Sequence, residues 1–160
     1  MTDKVPGGDA ATPPPRRFAD YVIEDQVGFL LRRAHQRHAA LFLSGMADAA
    51  LTPTQFTALV KIGELGRATQ NQLGRLAAID PATTLGVVRR LVGRGLVRRG
   101  RDPDDRRTAV LSPTPAGLAM AERAVAAAQW VTEATLQPLD GAERAVFLSL
   151  LRRLAGTTHD

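Results

Sequence analysis

The sequence predicts a mainly α-helical protein with one small β-hairpin. Apolar residues recur at intervals of three and four over most of the chain, as in amphipathic helices. Pairs such as Thr52-Pro53 and Asp80-Pro81 are typical of helix starts, and one charged turn separates two short β-prone segments. At 160 residues the chain is predicted to form a single domain, over residues 18–160.

The composition excludes several classes of protein. The chain has no cysteine, which rules out disulfides, thiolate metal sites and thiol catalysis, and it has only three histidines. It shows no glycine-rich phosphate loop, metal-ligand spacing or nucleophile elbow, so an enzyme, a metal and a cofactor are all unexpected. Its apolar runs are far shorter than a membrane span, and it opens with no charged-then-apolar leader. Both features predict a cytoplasmic protein without membrane contact.

The first predicted helix is long and follows an irregular arm. Residues 1–17 combine Pro, Gly and Ala without periodicity and are predicted to be disordered. From Ile23 to Gly45 an apolar stripe continues over about six turns. That is longer than a small domain needs for its own core, so part of the stripe is expected to face a partner subunit.

Three short helices are predicted next. Capping boxes at Thr52–Gln55 and Thr69–Gln72 open the first two, and the second is predicted to turn Leu73 and Leu76 inward. Asp80 and Pro81 open the third. It runs to Gly95 with an inner face of Thr84, Val87, Val88 and Leu91.

A β-hairpin and two further helices complete the chain. The hairpin is predicted at residues 96–112, Thr114-Pro115 opens a long helix, and Asp140 caps a last one. The apolar stripe of this last helix is Val146, Phe147, Leu150, Leu151 and Leu154. Short helices with a tight turn followed by a hairpin predict a winged helix-turn-helix over residues 52–112, flanked by helices at 18–48 and 114–156.

The net charge of the chain is concentrated in one segment. The net charge is +5, and 19 of the 21 basic residues are arginine. Residues 89–107 hold eight arginines and three aspartates and so account for the whole excess. A local excess of arginine indicates a phosphate or nucleic-acid partner more strongly than a basic isoelectric point does.

The outer face of the third short helix has the character of a surface that enters a DNA major groove. Small residues near its start let the backbone approach the DNA, Thr83 can bond a base edge or phosphate, and Leu85 or Ala82 can contact a thymine methyl group. The arginines can reach guanine or phosphate. The alternative is that this face of the helix is an ordinary solvated surface without a DNA contact. The predicted DNA-facing residues are Pro81, Ala82, Thr83, Leu85, Gly86, Arg89 and Arg90.

Two neighbouring segments extend this candidate surface. Thr69, Gln70 and Asn71 offer helix-start amides and short polar side chains to a phosphate, although they also suffice as helix caps. The hairpin tip carries Asp105, Arg106 and Arg107. An arginine on a projecting β-hairpin can enter the minor groove, and the neighbouring aspartate can hold its guanidinium in place. The alternative is that the hairpin tip is only a solvated loop.

Residues 73–117 resemble the MarR family of bacterial regulators. The stretches LGRLAAIDPATTLGVVRRLVGRGLVRR and RDPDDRRTAVLSPTPAG carry the resemblance, with a D-x-R wing signature at Asp105 and Arg107. Pro113 departs from the family pattern and predicts an early end to the second wing strand. The resemblance implies a homodimer formed by the first and last two helices. It also implies a repressor that binds a pseudo-palindromic double-stranded DNA operator and is released by a small ligand.

A basic cluster in the first helix is the candidate ligand site. Arg33 and Arg37 share a face, where an anion would relieve their repulsion, and His38 is either a satisfied core residue or a ligand contact. The stretch TQNQLGRL…DPATT…GVVRRL looks closest to family members that control aromatic-acid degradation. This implies an aromatic carboxylate or an aromatic acyl-CoA as effector. The alternatives are a regulator without an effector and a protein–protein assembly module.

Overall fold

The computed structural model describes residue 18, residues 20–102 and residues 105–156. It contains six α-helices and a two-stranded antiparallel sheet within these residues. The elements are α1 (Val27–Gly45), α2 (Pro53–Leu65), α3 (Gln70–Leu76), α4 (Pro81–Gly93), β1 (Val97–Arg101), β2 (Ala109–Pro113), α5 (Pro115–Leu136) and α6 (Gly141–Leu154). The predicted winged helix-turn-helix is therefore confirmed, while the arm predicted at residues 1–17 lies outside the described residues.

By its contacts the chain divides into two units, residues 1–35 and residues 36–160. In the first unit a 3₁₀ turn at Ile23–Asp25 precedes α1, and Gln26 between them is extended. The prediction that one helix begins at Ile23 was therefore wrong by one turn. In the described part of the chain, no helix is both long and apolar enough to cross a membrane.

The helix starts follow the capping residues. Thr52 and Asp140 form complete capping boxes with Gln55 and Glu143. Thr69 accepts a hydrogen bond from the Gln72 amide at 3.2 Å, but the Gln72 side chain does not complete the predicted second box. Five of the helices, α2 to α6, thus begin at side chains that satisfy amides their own helix leaves unpaired.

The hydrophobic core lies where α2 packs against α4 and α5. Its most deeply buried side chains include Leu59, Ile62, Leu73, Val88, Leu91 and Val131. Leu76 was predicted to face inward but is half exposed, because α3 has only seven residues and Leu73 alone reaches the core. By contrast, none of residues 141–154, all of which the structure describes, is buried.

The hairpin is built against the helices. Strands β1 and β2 pair from Val97 opposite Pro113 to Arg101 opposite Ala109. Pro113 was predicted to end β2 early, but it is the last paired residue, where a missing amide costs no ladder hydrogen bond. Ala68 exchanges two backbone hydrogen bonds with Leu111, at 3.0 and 2.8 Å, and so ties the start of α3 to the wing.

The joint between the wing and α5 is closely packed. Thr114 caps α5 by accepting from the Gly117 amide at 3.0 Å and donates its hydroxyl to the Gly95 carbonyl at 2.7 Å. A Cβ at Gly117 would overlap the Leu96 carbonyl group. Only glycine therefore fits at position 117, where the start of α5 passes Leu96.

Candidate nucleic-acid interface and effector pocket

The start of α4 is fixed by polar contacts. Asp80 accepts from the Thr83 amide at 2.9 Å, and its hydrogen bonds with Thr83 hold the pKa of the carboxyl below its ordinary value. The Thr84 hydroxyl, which is buried, donates to the Asp80 carbonyl at 2.8 Å. These contacts orient the first turn so that its opposite face points away from the core.

The outer face of α4 is accessible over its whole length. Leu85 and Gly86 are partly exposed, and the other predicted contact residues are exposed: Pro81, Ala82, Thr83, Arg89 and Arg90. A Cβ added at Gly86 would meet open space, so nothing in the described chain covers this position. The predicted inner face, from Thr84 to Leu91, is buried as expected. The structure thus leaves a helix-long surface of small residues ending in two arginines.

The start of α3 lies beside the start of α4. Gln70 and Asn71 line a cavity of about 520 Å³ together with Asp80 and Pro81. Asn71 is exposed and Gln70 is partly exposed, so both side chains can contact a phosphate there. Thr69, in contrast, is occupied as the cap of α3.

The wing turn is organised by Asp105. Its two carboxylate oxygens accept from the Arg107 backbone amide at 3.0 Å and the Thr108 hydroxyl at 2.8 Å. The Thr108 hydroxyl, and after it the Arg107 amide, lower the pKa of this carboxyl. Sequence reasoning expected Asp105 to hold an arginine guanidinium, but it shapes the backbone instead. The side chains of Arg106 and Arg107 are exposed.

Two arginines of the basic segment stabilise the fold by donating hydrogen bonds to backbone carbonyls. Arg94 donates from both terminal nitrogens, at 2.9 Å each, to the carbonyls of Ala49 and Ala50. Arg101 donates to the Arg106 carbonyl at 2.7 Å and so braces the wing turn. Counting charge along the sequence cannot distinguish these arginines from those that face solvent.

A further group of arginines was missed by sequence reasoning. Arg67, Arg98, Arg99 and Arg101 line a concavity of about 180 Å³ at the base of the wing. Arg67 also lies 3.5 Å from the Asp102 carboxylate. The signal was available, because alternation along a strand places Arg99 and Arg101 on the same face of β1.

Two of the three predicted ligand-site residues of α1, Arg37 and His38, contact the same part of α5. Arg37 donates to the Ala134 carbonyl at 3.0 Å, and the His38 Nδ1 lies 3.0 Å from the Thr135 hydroxyl. Both therefore contact the C-terminal part of α5. Arg33 is exposed in the first unit of the chain.

His38 also lines a cavity of about 200 Å³. The cavity is enclosed by α1, α2 and α5, and aromatic rings of Phe42 and Phe56 form part of its wall. These two rings meet edge to face with centroids 5.9 Å apart. The two readings of His38, as a satisfied residue and as a ligand contact, are thus compatible in one structure.

Together these features define a winged-helix DNA-binding protein. A profile of the MarR family matches residues 51–109. The transcriptional repressor NicR of Pseudomonas putida is 37% identical over 134 residues, which cover 84% of this chain and 85% of NicR. The chain belongs to the MarR family, whose members are transcriptional regulators, and this membership decides between regulator and enzyme.

Solved structures agree in fold over most of the chain. A probable transcriptional regulator from Pseudomonas aeruginosa is 50% identical, with a TM-score of 0.79 over 83% of this chain and 99% of that one. Bordetella bronchiseptica BpsR, whose DNA binding is regulated by 6-hydroxynicotinic acid, is 39% identical. Its TM-score is 0.79 over 84% of this chain and 96% of BpsR.

Proposed function

We propose that this protein is a ligand-responsive repressor that binds a pseudo-palindromic operator in the cytoplasm as a homodimer. The observation that carries the proposal is the outer face of α4. It is exposed from Pro81 to Arg90, has no acidic side chain beyond the cap, and is flanked by an arginine-bearing wing. Such a face suits a major groove, and the exposed Arg107 suits the adjacent minor groove.

The homodimer is supported by the apolar face of α6. This face consists of Val146, Phe147, Leu150, Leu151 and Leu154, which are between 36% and 74% exposed in the single chain. A contiguous apolar surface of this kind marks an interaction site. A second copy is the fitting partner, because one recognition helix contacts too few base pairs for specificity and two-fold symmetry doubles the site.

The effector is a small aromatic acid, held in the cavity beside His38. The aromatic walls suit one planar ring, and about 200 Å³ is smaller than a pocket for a drug-sized ligand. An acyl-CoA would therefore have to leave its nucleotide outside the cavity. BpsR supports an acid of the 6-hydroxynicotinate type. Arg37 and Arg33 are proposed to attract the acid through their positive charge.

Genome-wide binding-site mapping followed by titration of the recovered operator tests the DNA-binding role. Arg89→Ala and Arg90→Ala are expected to weaken operator binding and to flatten its salt dependence. Arg123→Ala removes an exposed arginine of α5 and serves as the matched control. Equal affinities for all three variants would overturn the assignment of α4.

Thermal shift and operator-release assays against a panel of aromatic acids and their CoA esters test the effector. An acid of the 6-hydroxynicotinate type is expected to raise the melting temperature and to release the operator. Operator binding that no member of the panel changes would leave a regulator without a small-molecule effector.

A further inference from the structure

The cavity beside His38 presents an unusual set of polar atoms to a ligand. Of the side chains that line it, all within the described residues, only His38, Thr57 and Thr132 are polar. The Thr57 hydroxyl donates to the Pro53 carbonyl and the Thr132 hydroxyl to the Ala128 carbonyl, at 3.0 Å each. A hydroxyl has one hydrogen, so with these bonds in place neither threonine has a hydroxyl hydrogen left for a ligand.

The tautomer of His38 follows from the same counting. The Thr135 hydroxyl donates to the Val131 carbonyl at 2.7 Å, and a carbonyl can only accept. The contact between Thr135 and the His38 Nδ1 must therefore use a hydrogen on Nδ1. In the neutral ring, Nε2 then carries a lone pair, so all three polar side chains are acceptors toward a ligand.

A carboxylate is also only an acceptor, so it does not match the polar side chains that line the cavity. The mismatch disappears when Nε2 takes up a proton, because both ring nitrogens then donate and the ring gains a charge opposite to that of the ligand. We infer that binding of an aromatic acid is coupled to the uptake of one proton by His38. This inference rests on the proposed effector function.

The surrounding charged groups do not offer another route for this proton. On α1 Arg37 does not line the cavity, and one of its terminal nitrogens is bonded to the Ala134 carbonyl. On α5 Glu133 pairs with Arg144 of α6 at 2.7 Å, and on α2 Lys61 pairs with Glu64 at 2.8 Å. His38 is therefore the side chain lining this cavity that can gain a proton and so become a donor toward the ligand.

The coupling predicts how affinity for the acid changes with pH. Because the bound carboxylate favours the protonated ring, affinity is expected to fall as pH rises, by up to tenfold per pH unit. Release of the operator by the acid would need correspondingly more ligand at pH 8 than at pH 6.

Calorimetric titration with 6-hydroxynicotinate, in two buffers of different ionisation enthalpy, measures the proton directly. Net proton uptake on binding, of at most one proton per site, is expected for the wild type. Thr135→Val removes the acceptor that fixes the His38 tautomer, so the neutral ring can donate from Nε2. Proton uptake on binding should then fall below half of the wild-type value. His35→Gln, an exposed histidine of the same helix, is the control that retains the wild-type uptake.

Several outcomes would overturn the inference in distinguishable ways. Binding without proton uptake, or equal uptake by Thr135→Val and the wild type, would overturn it and leave the effector role standing. Failure of the wild type to bind any acid of the panel would overturn both. Nitrogen-15 NMR of the free protein gives an independent result that needs no variant. It must show His38 protonated at Nδ1, and a proton on Nε2 of the neutral ring would overturn the inference.

Discussion

The outer face of α4 and the apolar face of α6 are both exposed, yet their chemistry is opposite. The first carries small residues and arginines without an acidic side chain, and the second is a row of Val, Phe and Leu side chains. The inner face of α4 is buried in the core, whereas no residue of α6, described throughout, is buried. The comparison teaches that α4 buries its apolar face within its own chain, whereas α6 leaves an apolar face exposed for the proposed partner.

The largest expected effect comes from placing a charge on the apolar face of α6. Leu150→Asp would bury a carboxylate in the proposed dimer contact, so the dimer should dissociate and operator affinity should fall at least a hundredfold. Light scattering and operator titration measure the two effects. Ser149→Asp places the same charge on the opposite side of the helix and should leave the dimer intact. A Leu150→Asp protein that stays dimeric would remove α6 from the interface.

The wing should give the next largest effect. Arg107→Ala is expected to weaken operator binding about tenfold and to reduce the salt slope by about one per half-site, because one phosphate-region contact is lost. The dimer and the melting temperature should not change. Unaltered affinity and salt slope would show that the exposed wing arginine does not face DNA.

Arg94→Ala tests an arginine of the same basic segment that is bonded to backbone carbonyls of its own chain. Two backbone carbonyls lose their donor, so the free energy of unfolding should fall by about 1–2 kcal/mol. The salt slope of operator binding should stay that of the wild type, since no phosphate contact is removed. Urea unfolding and a salt titration separate the two properties. A smaller salt slope with unchanged stability would assign Arg94 to the DNA surface.

The smallest effect on affinity is expected at Thr83. Thr83→Ala removes a hydroxyl from the exposed first turn of α4, so preference at one base pair should change by about 1 kcal/mol while overall affinity changes little. Selection of operator variants by the two proteins measures this. Identical sequence preferences would place Thr83 against the backbone of the DNA.

Local features of the sequence predicted most of the fold. The helix starts at Thr52, Asp80, Thr114 and Asp140 were predictable because each cap bonds an amide three residues away. The exposed face of α4 followed from its period, which a 13-residue helix displays clearly. The orientation of Leu76 did not follow from the sequence, because a helix of seven residues is too short for its apolar period to show which side chains are buried.

Contacts distant in sequence were beyond such reasoning. Arg94 meets Ala49 and Ala50 more than forty residues away, and His38 meets Thr135 across 97 positions. Sequence patterns show that a side chain is charged or polar but not which carbonyl or hydroxyl it will reach. The roles of these residues therefore emerged only from the folded chain.

The pair of hydrogen bonds between Ala68 and Leu111 has a consequence for the operator. It joins Ala68, the residue before the N-cap of α3, to Leu111 in the middle of β2. The start of α3 and the wing are therefore held together. If α4 and the wing enter DNA grooves as proposed, the spacing between those two grooves would be constant within each half-site. Operators of different spacer length would have to be accommodated by rotating the two protomers against each other.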